Sequence, residues 1–451
     1  MVRCLTYTFK PSDDAAGTSS FGKYACGMVR LMKRIFRKIR NMNKKAAGVL
    51  VAFFVLIIIN LLARIEAFAD FYTDHIYKYL ATPLTGLTGI FHFPIGEPLI
   101  VAGIILSIVA VVFMVIIVVR GIRYEIINLK NKDVNKKVLK RGKLTNYLDF
   151  YVVVLLIVAI LMTANCSIPY GCSKMDLGGK SKEEYTIEDL VTLSNMLAEK
   201  VNTMYDMVDR DENGNVVYNK TITFDSFSET ATAGGASADE KYMDAIYKEV
   251  YESMNEMGDE FPRLKGYYPY PKQMMGSIFM YESGIVGVYF PFSRESYYSR
   301  YLAPVQRPAT IAHEYAHLKG YMSEDEANFI GFVACMNSDD VFVSYSGYLN
   351  AFYHVYYAAQ IAVFSSQENF DKYGSVLKEP EEGVFKDLYS YNSITGAEAE
   401  EDAAALEENT GITEEQVNAA SEKFTESYID YYDGKLNYDE VTWLLLQYYI
   451  K

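Results

Sequence analysis

Histidine is scarce in this chain, with five in 451 residues, and tryptophan occurs once. Cysteine is also sparse, at five, and none stands in a catalytic context, which argues against a cysteine protease. Positive charge is lacking from the back of the chain: residues 167–451 carry 21 Lys+Arg against 48 Asp+Glu. Nucleic-acid binding needs a basic face, so that class is set aside. The front is the opposite, with 22 Lys+Arg against 9 Asp+Glu in residues 1–166. Half of all residues are hydrophobic and mean hydropathy is near zero, an average that hides this division. A basic, apolar front and an acidic, tyrosine-rich back belong in different surroundings, and the length leaves room for two or three domains.

Three apolar runs mark the front: about 46–63, 98–119 and 147–164. Each approaches the roughly 20 residues that a helix needs to cross a bilayer. The first follows a polar lead-in and the basic cluster Arg30 to Lys45, so it reads as an uncleaved anchor rather than a signal peptide. The 120–146 loop is rich in Lys and Arg, whereas 64–97 has only Arg64 and Lys78 against Glu66, Asp70, Asp74 and Glu97. The positive-inside rule then predicts a multi-pass plasma-membrane protein with a cytoplasmic N-terminus and residues 167–451 outside the cytoplasm. Pro83, Gly86, Gly89, Pro94, Gly96 and Pro98 predict turns or a short re-entrant piece in the external loop. Cys4 and Cys26 fall on the reducing side. Cys166 and Cys172 lie where a disulfide is permitted, and Cys335 reads as a buried small hydrophobe.

Beyond Thr186 the pattern becomes that of a globular domain. Ile187 to Met207 and Ala238 to Met257 have helical periodicity, separated by a polar loop. Ser277 to Tyr281 and Ile285 to Pro291, rich in β-branched and aromatic residues around Gly284, predict two short strands. Pro308 suits the first turn of a helix that Gly320 ends. Ser323 then reads as an N-cap with Glu326 as its capping-box partner. Tyr345 to Phe364 is a third helix, 379–422 an acidic, partly helical insertion, and Tyr438 to Ile450 an apolar helix that packs Trp443 on the core.

Two of the three histidines in this domain occupy one motif, His313-Glu314-Tyr315-Ala316-His317. Imidazoles four residues apart share a helix face and reach one Zn²⁺ at about 2.0–2.1 Å. Glu314, rotated by roughly 100°, is placed to take a proton from water at that ion. The plain alternative is a core helix with two satisfied histidines and a solvated glutamate. A catalytic zinc site needs a third protein ligand. The acids on offer are Glu324, Asp325 and Glu326; if Glu326 serves the cap, Glu324 is free, with Glu326 the alternative. Asn328, four residues on from Glu324, is a candidate to hydrogen-bond a ligand imidazole. Tyr345, Tyr348 and His354 are available as oxyanion donors, although aromatic stripes at helical spacing are usually core. The strand around Val286–Tyr289 offers an edge for an extended peptide.

The block Ile311 to His317, Gly320 and Glu324 to Phe329, with Gly287 to Ser293 upstream and three membrane helices, resembles a family of bacterial membrane proteins classed as a domain of unknown function and grouped with gluzincin-type metallopeptidases. The resemblance spans roughly residues 45–450, and Arg294-Glu295-Ser296 departs from the family's usual wording. It implies a mainly α chain, with three transmembrane helices before an extracytoplasmic α+β zincin-like domain with a small sheet. The gluzincin pattern continues with E-x-x-x-D, to which Glu324 and Asn328 are similar, favouring Glu324 as ligand. The expected organisation is a basic tail at 1–45, a membrane domain at 46–166 and the outer domain at 167–451. The expected function is a membrane-anchored zinc metalloendopeptidase, with the bilayer and a peptide or protein as partners. The alternative is a membrane sensor or scaffold that holds the metal without turnover. An intramembrane protease is disfavoured because the apolar stretch after the motif, Ala327 to Met336, is half a span long.

Overall fold

A computed structural model describes residues 44–130, 142–212, 214–218, 238–389, 395–413, 415–417, 419 and 438–450. The expectations for Cys4, Cys26 and the Arg30 to Arg40 part of the basic cluster lie outside these residues, as does the 131–141 part of the 120–146 loop. The chain divides into two compact units, residues 1–58 and 59–451.

The described part of the first unit is the body of helix α1 (Lys44–Leu62), which has no buried residue. The second unit opens with α2 (Glu66–Tyr72), a π-helical turn at Thr73–Tyr77 and α3 (Lys78–Gly89). Helices α4 (Gly96–Lys130) and α5 (Lys143–Met162) follow, α5 running on through a π-helical turn at Thr163–Ser167. Helices at Lys44–Leu62, Gly96–Arg123 and Lys143–Gly171 are long and apolar enough to cross a membrane, at the three places where the hydropathy predicts them. α4 and α5 pair as a hairpin: Tyr147 Oη donates to Leu106 O at 2.7 Å, and the Ser107 and Tyr151 hydroxyls meet at 2.8 Å.

The rest of the second unit is mainly helical. Its framework is α6 (Ile187–Tyr205), α7 (Ala238–Met257), α9 (Arg307–Leu318), α10 (Glu324–Met336), α11 (Val341–Val363) and α15 (Tyr438–Tyr449). Between α7 and α9 lie β1 (Lys272–Gln273), α8 (Ser277–Glu282), β2 (Gly287–Phe290) and β3 (Glu295–Tyr298). Short helices α12 (Gln367–Tyr373), α13 (Glu382–Leu388) and α14 (Thr395–Thr410) occupy the region between α11 and α15, so the acidic insertion is partly helical. The sheet has the order β1-β3-β2, parallel for the first pair and antiparallel for the second.

The core follows from helical spacing. Leu193, Leu197 and Val201 of α6, Ile246, Val250 and Met254 of α7, Tyr315 of α9, Phe329 and Val333 of α10, and Phe352 of α11 are all fully buried in one cluster. α9 and α10 approach so closely that a Cβ on Gly331 would lie 2.8 Å from the His313 backbone nitrogen. Glycine at that position is what brings the two helices together.

Three expectations are corrected. Ser277–Tyr281 is helical, and β2 pairs instead with Glu295–Tyr298. Short apolar runs fit either state, and here Ile285 N bonds back to Met280 O, ending a helical turn. Ser323 is the N-cap of α10 but makes no side-chain cap bond; Glu326 accepts from the Met175 amide at 2.7 Å. Cys166 and Cys172 are not joined in a disulfide: Cys166 is buried, and Cys172 Sγ lies 3.2 Å from Thr73 Oγ1.

Candidate metal centre

Helix α9 has Pro308 in its first turn, where a missing N–H costs nothing. Its inner face carries Ile311, Ala312, Tyr315 and Ala316 into the core, which leaves His313, Glu314 and His317 along the side toward α10 and the sheet. The helix stops at Leu318, and Gly320, at φ +97°, turns the chain in a conformation that L side chains rarely adopt. That turn returns Tyr321 O to within 2.8 Å of His317 Nδ1. Across the helix pair, Asn328 Oδ1 lies 2.8 Å from His313 Nδ1. Both partners are oxygen acceptors, so each imidazole donates from Nδ1 and leaves Nε2, whose lone pair is exposed on deprotonation, as its ligand atom.

Both Nε2 atoms converge on the first residue of α10. His313 Nε2 is 3.3 Å from Glu324 Oε2, and His317 Nε2 is 3.5 Å from Glu324 Oε1. The three side chains form a set whose ligand atoms all lie within 4.8 Å of one another. Ligands at about 2.0–2.1 Å in a tetrahedron are about 3.4 Å apart, so the donor set fits Zn²⁺. The electrostatics of the protein alone agree. Burial raises the Glu324 carboxyl, but the charge and hydrogen bonds of His317 and His313 outweigh it and hold Glu324 well below the usual range. Burial lowers His317, yet Glu324 and Glu314 push it up to about 9.

Glu314 is fully enclosed, and burial pushes its carboxyl up to about 7 against the influence of His313 and His317. Its Oε2 is buried without a hydrogen-bond partner. The other side of the carboxylate is covered by β2. A Cβ on Gly287 would fall 2.5 Å from Glu314 Oε1, and the Tyr289 backbone amide hydrogen-bonds the carboxylate. β2 is a sheet edge. Ser299 N donates to Val286 O, so by the alternation of an antiparallel ladder the backbone groups of Gly287 and Tyr289 face away from β3. The open edge therefore borders the cluster, with the Tyr289 ring tilted against His317 at 6.4 Å between centroids.

The remaining candidates fall elsewhere. Glu326 is held by Met175, and burial raises its carboxyl. Asp325 is raised to about 6 by burial and by Glu440. Tyr345 Oη donates to Asp387 Oδ2 at 2.7 Å, in a group with Arg210, and Tyr348 packs on the core. His354 is half-buried beside Phe332, and desolvation together with His313 lowers it to about 4.

Two residues that border the site escape motif reading. Gly287 carries a signal, since a glycine inside a strand marks close approach of another group. Arg294 carries none beyond its departure from the family wording. It is the sole non-glycine with positive φ among the described residues, at 56°, and its guanidinium is buried. Its Nη2 donates to Leu318 O at 2.6 Å, placing a cation at the C-terminus of α9, where the helix dipole favours one. A cavity of about 1050 Å³ lies behind the cluster, bordered by Tyr77, Arg263, Arg294, Lys319 and Tyr321; none of the metal-cluster residues lines it.

The family DUF3810, described as protein of unknown function, matches residues 72–446. The chain belongs to the DUF3810 family. The match begins at the end of α2 and runs into α15, so it spans α3, the His313–His317–Glu324 cluster and most of the closing helix. No curated protein and no solved structure matches the chain.

Proposed function

We propose that this protein is a membrane-anchored, zinc-dependent metallopeptidase that hydrolyses peptide bonds outside the cytoplasm, on a zincin-like fold of the gluzincin type. The observation that carries the reading is the convergence of His313 Nε2, His317 Nε2 and Glu324 beside a buried Glu314 whose Oε2 has no partner. A purely structural metal site has no use for that carboxylate.

His313, His317 and Glu324 would hold Zn²⁺, their orientation kept by Asn328 and by Tyr321 O. When bound, the ion supplies Lewis acidity, polarising the scissile carbonyl and acidifying water. Glu314 takes the proton from the attacking water and delivers it to the leaving amine. The Gly287 and Tyr289 edge of β2 aligns an extended peptide by main-chain pairing, and the enclosed carboxylate stays clear of bulk water. The substrate and its side-chain preference lie outside what these residues specify. The three apolar helices and the charge of their loops support a plasma-membrane location with the N-terminus in the cytoplasm.

The test is cleavage of unstructured proteins by the full chain in detergent, compared with Glu314→Gln. Zinc should be retained in the variant while cleavage falls by about 10²–10⁴-fold. Zinc without cleavage by either form would favour the non-catalytic sensor or scaffold.

A further inference from the structure

The segment between α1 and α4 is built inside out. Its inward stripe is Ala69, Thr73, Tyr77, Ala81, Thr85 and Thr88, mostly small or hydroxylated and all buried. Its outward positions are bulky and apolar: Phe71, Ile76, Tyr79, Leu80, Leu87 and Ile90, with Tyr79 and Ile90 each 69 % exposed and Leu87 59 % exposed. Soluble helices turn their large apolar residues toward the protein, and a continuous exposed row of them marks an interaction surface. Small residues inward and large ones outward is the arrangement of helices packed in lipid.

The backbone and the charges agree with such a surrounding. Thr82, Thr85 and Thr88 hydroxyls donate to carbonyls one turn back, and Pro83 sits within α3. Hydroxyls re-satisfying backbone groups near a proline are tolerated where neighbouring side chains replace water. No Asp, Glu, Lys or Arg occurs between Lys78 and Glu97. The acids that precede them, Asp70 and Asp74, turn to Arg263 of the globular part. The segment starts four residues after the first apolar helix ends at Leu62 and closes just before the second begins at Gly96. Both ends are thus tethered where those helices would leave the bilayer.

We propose that residues 66–93 are a fourth membrane element, an interfacial helix whose Phe71–Ile90 face is sunk into the headgroup and acyl boundary while its inner face carries the metal-site helix. The inner contacts are direct. Tyr77 Oη donates to Leu318 O at 3.3 Å, Thr88 Oγ1 donates to Ser293 O at 2.9 Å, and a Cβ on Gly320 would meet Thr73 Cγ2 at 2.7 Å. The end of α9 therefore stands one helix diameter, about 10 Å, from the lipid. The metal centre works at the bilayer surface rather than on a stalk above it.

The experiment reads lipid contact alone and is independent of any peptidase activity. In a Trp443→Phe background, which removes the single native tryptophan, one tryptophan is introduced at a time in the full chain. The chain is then reconstituted with phosphatidylcholine brominated on its acyl chains. Tyr79→Trp, Leu87→Trp and Ile90→Trp replace exposed side chains, as do Val111→Trp in α4 and Phe364→Trp beyond the end of α11. Fluorescence of the three segment probes should be quenched about twofold, as for residues roughly 5–10 Å into the boundary, with Val111→Trp quenched at least as strongly and Phe364→Trp unaffected. Segment probes that quench no more than Phe364→Trp would leave solvent, a second copy or another protein on this face and overturn the proposal. Failure of Val111→Trp to quench would overturn it as well, by removing the adjoining span.

Discussion

The α2–α3 segment and the α9–α11 core lie in the same compact unit and obey opposite rules. In the core, Tyr315, Phe329 and Phe352 are fully buried and charged groups are paired, Glu324 with two histidines and Asp387 with Arg210 and Tyr345, while Glu314 Oε2 stands apart without a partner. In α2–α3 Ala69, Thr73, Ala81, Thr85 and Thr88 are inside and Phe71, Ile76, Leu80 and Leu87 are out. The difference teaches that the water-facing and lipid-facing parts of this unit meet along one line, at Tyr77, Thr88, Arg294 and the end of α9. A charged guanidinium buried on that line, bonded only to neutral acceptors in Tyr77, Thr85, Asn165, Tyr289 and Leu318, is the joint between them.

The comparison can be broken by truncation in each region. Phe329→Ala should cost about 3–5 kcal/mol of unfolding free energy in detergent, since it opens a cavity in the core. Leu87→Ala should change it by no more than about 0.5 kcal/mol, because its side chain is mostly exposed. Equal losses, measured by denaturant or thermal unfolding, would mean that the two faces do not differ in kind. Between these extremes, Asn328→Ala should leave the fold intact and weaken zinc affinity by about 10–100-fold in competition titrations with a chelator. A change of that size would separate the hydrogen bond on His313 Nδ1 from the packing of α10.

Stability against pH sharpens the same contrast, because the shifted groups cluster in the core. His317 is raised from 6.5 to about 9, so its stabilising contribution in the metal-free protein is complete below about pH 6.5 and is lost as pH rises through 9. Glu314, raised from 4.5 to about 7 by burial, acts in the same direction, since its folded form holds a proton that the unfolded chain gives up. Glu324 is depressed, and its contribution is present above 4.5 and lost only on acidification. Lys319, lowered from 10.5 to about 7 by burial, works the other way, gaining stability as pH rises from 7 toward 10.5. The cluster is therefore read by comparison: between pH 6 and pH 9 the chelator-treated wild type should lose more melting temperature than chelator-treated His317→Ala. Zinc should bind more tightly at the higher pH, where it competes with fewer protons. A metal-free melting temperature that changes equally from pH 6 to pH 9 in the wild type and in His317→Ala would contradict the described cluster. The smallest effect is the last: Leu87→Ala should leave this pH profile unmoved.

Much of the site is legible in the sequence because its chemistry is local. The i, i+4 histidines, Glu314 between them, and Glu324 and Asn328 one turn apart all depend on helix geometry, which spacing reports. The three long apolar helices are legible for the same reason. What is not legible depends on distant partners. Glu326 looks like a capping residue until Met175 is folded against it. Glu295 and its neighbours do not read as a strand, because the polar side chain is buried by distant partners, Lys272 and the Ile95 and Gly96 amides, together with Ser293 and Tyr297. Ser277–Tyr281 fits either period over so few residues. The α2–α3 segment reads as turns because Pro83, Gly86 and Gly89 are breakers in water, whereas packed side chains and threonine hydroxyls sustain the helix here.

The measurement that bears most directly on the metal centre is zinc content by mass spectrometry of the purified full chain, beside His317→Ala and Glu314→Gln. One zinc per chain is expected in the wild type and in Glu314→Gln, with loss in His317→Ala. Absence of stoichiometric zinc from the wild type, or equal zinc in His317→Ala, would contradict the account.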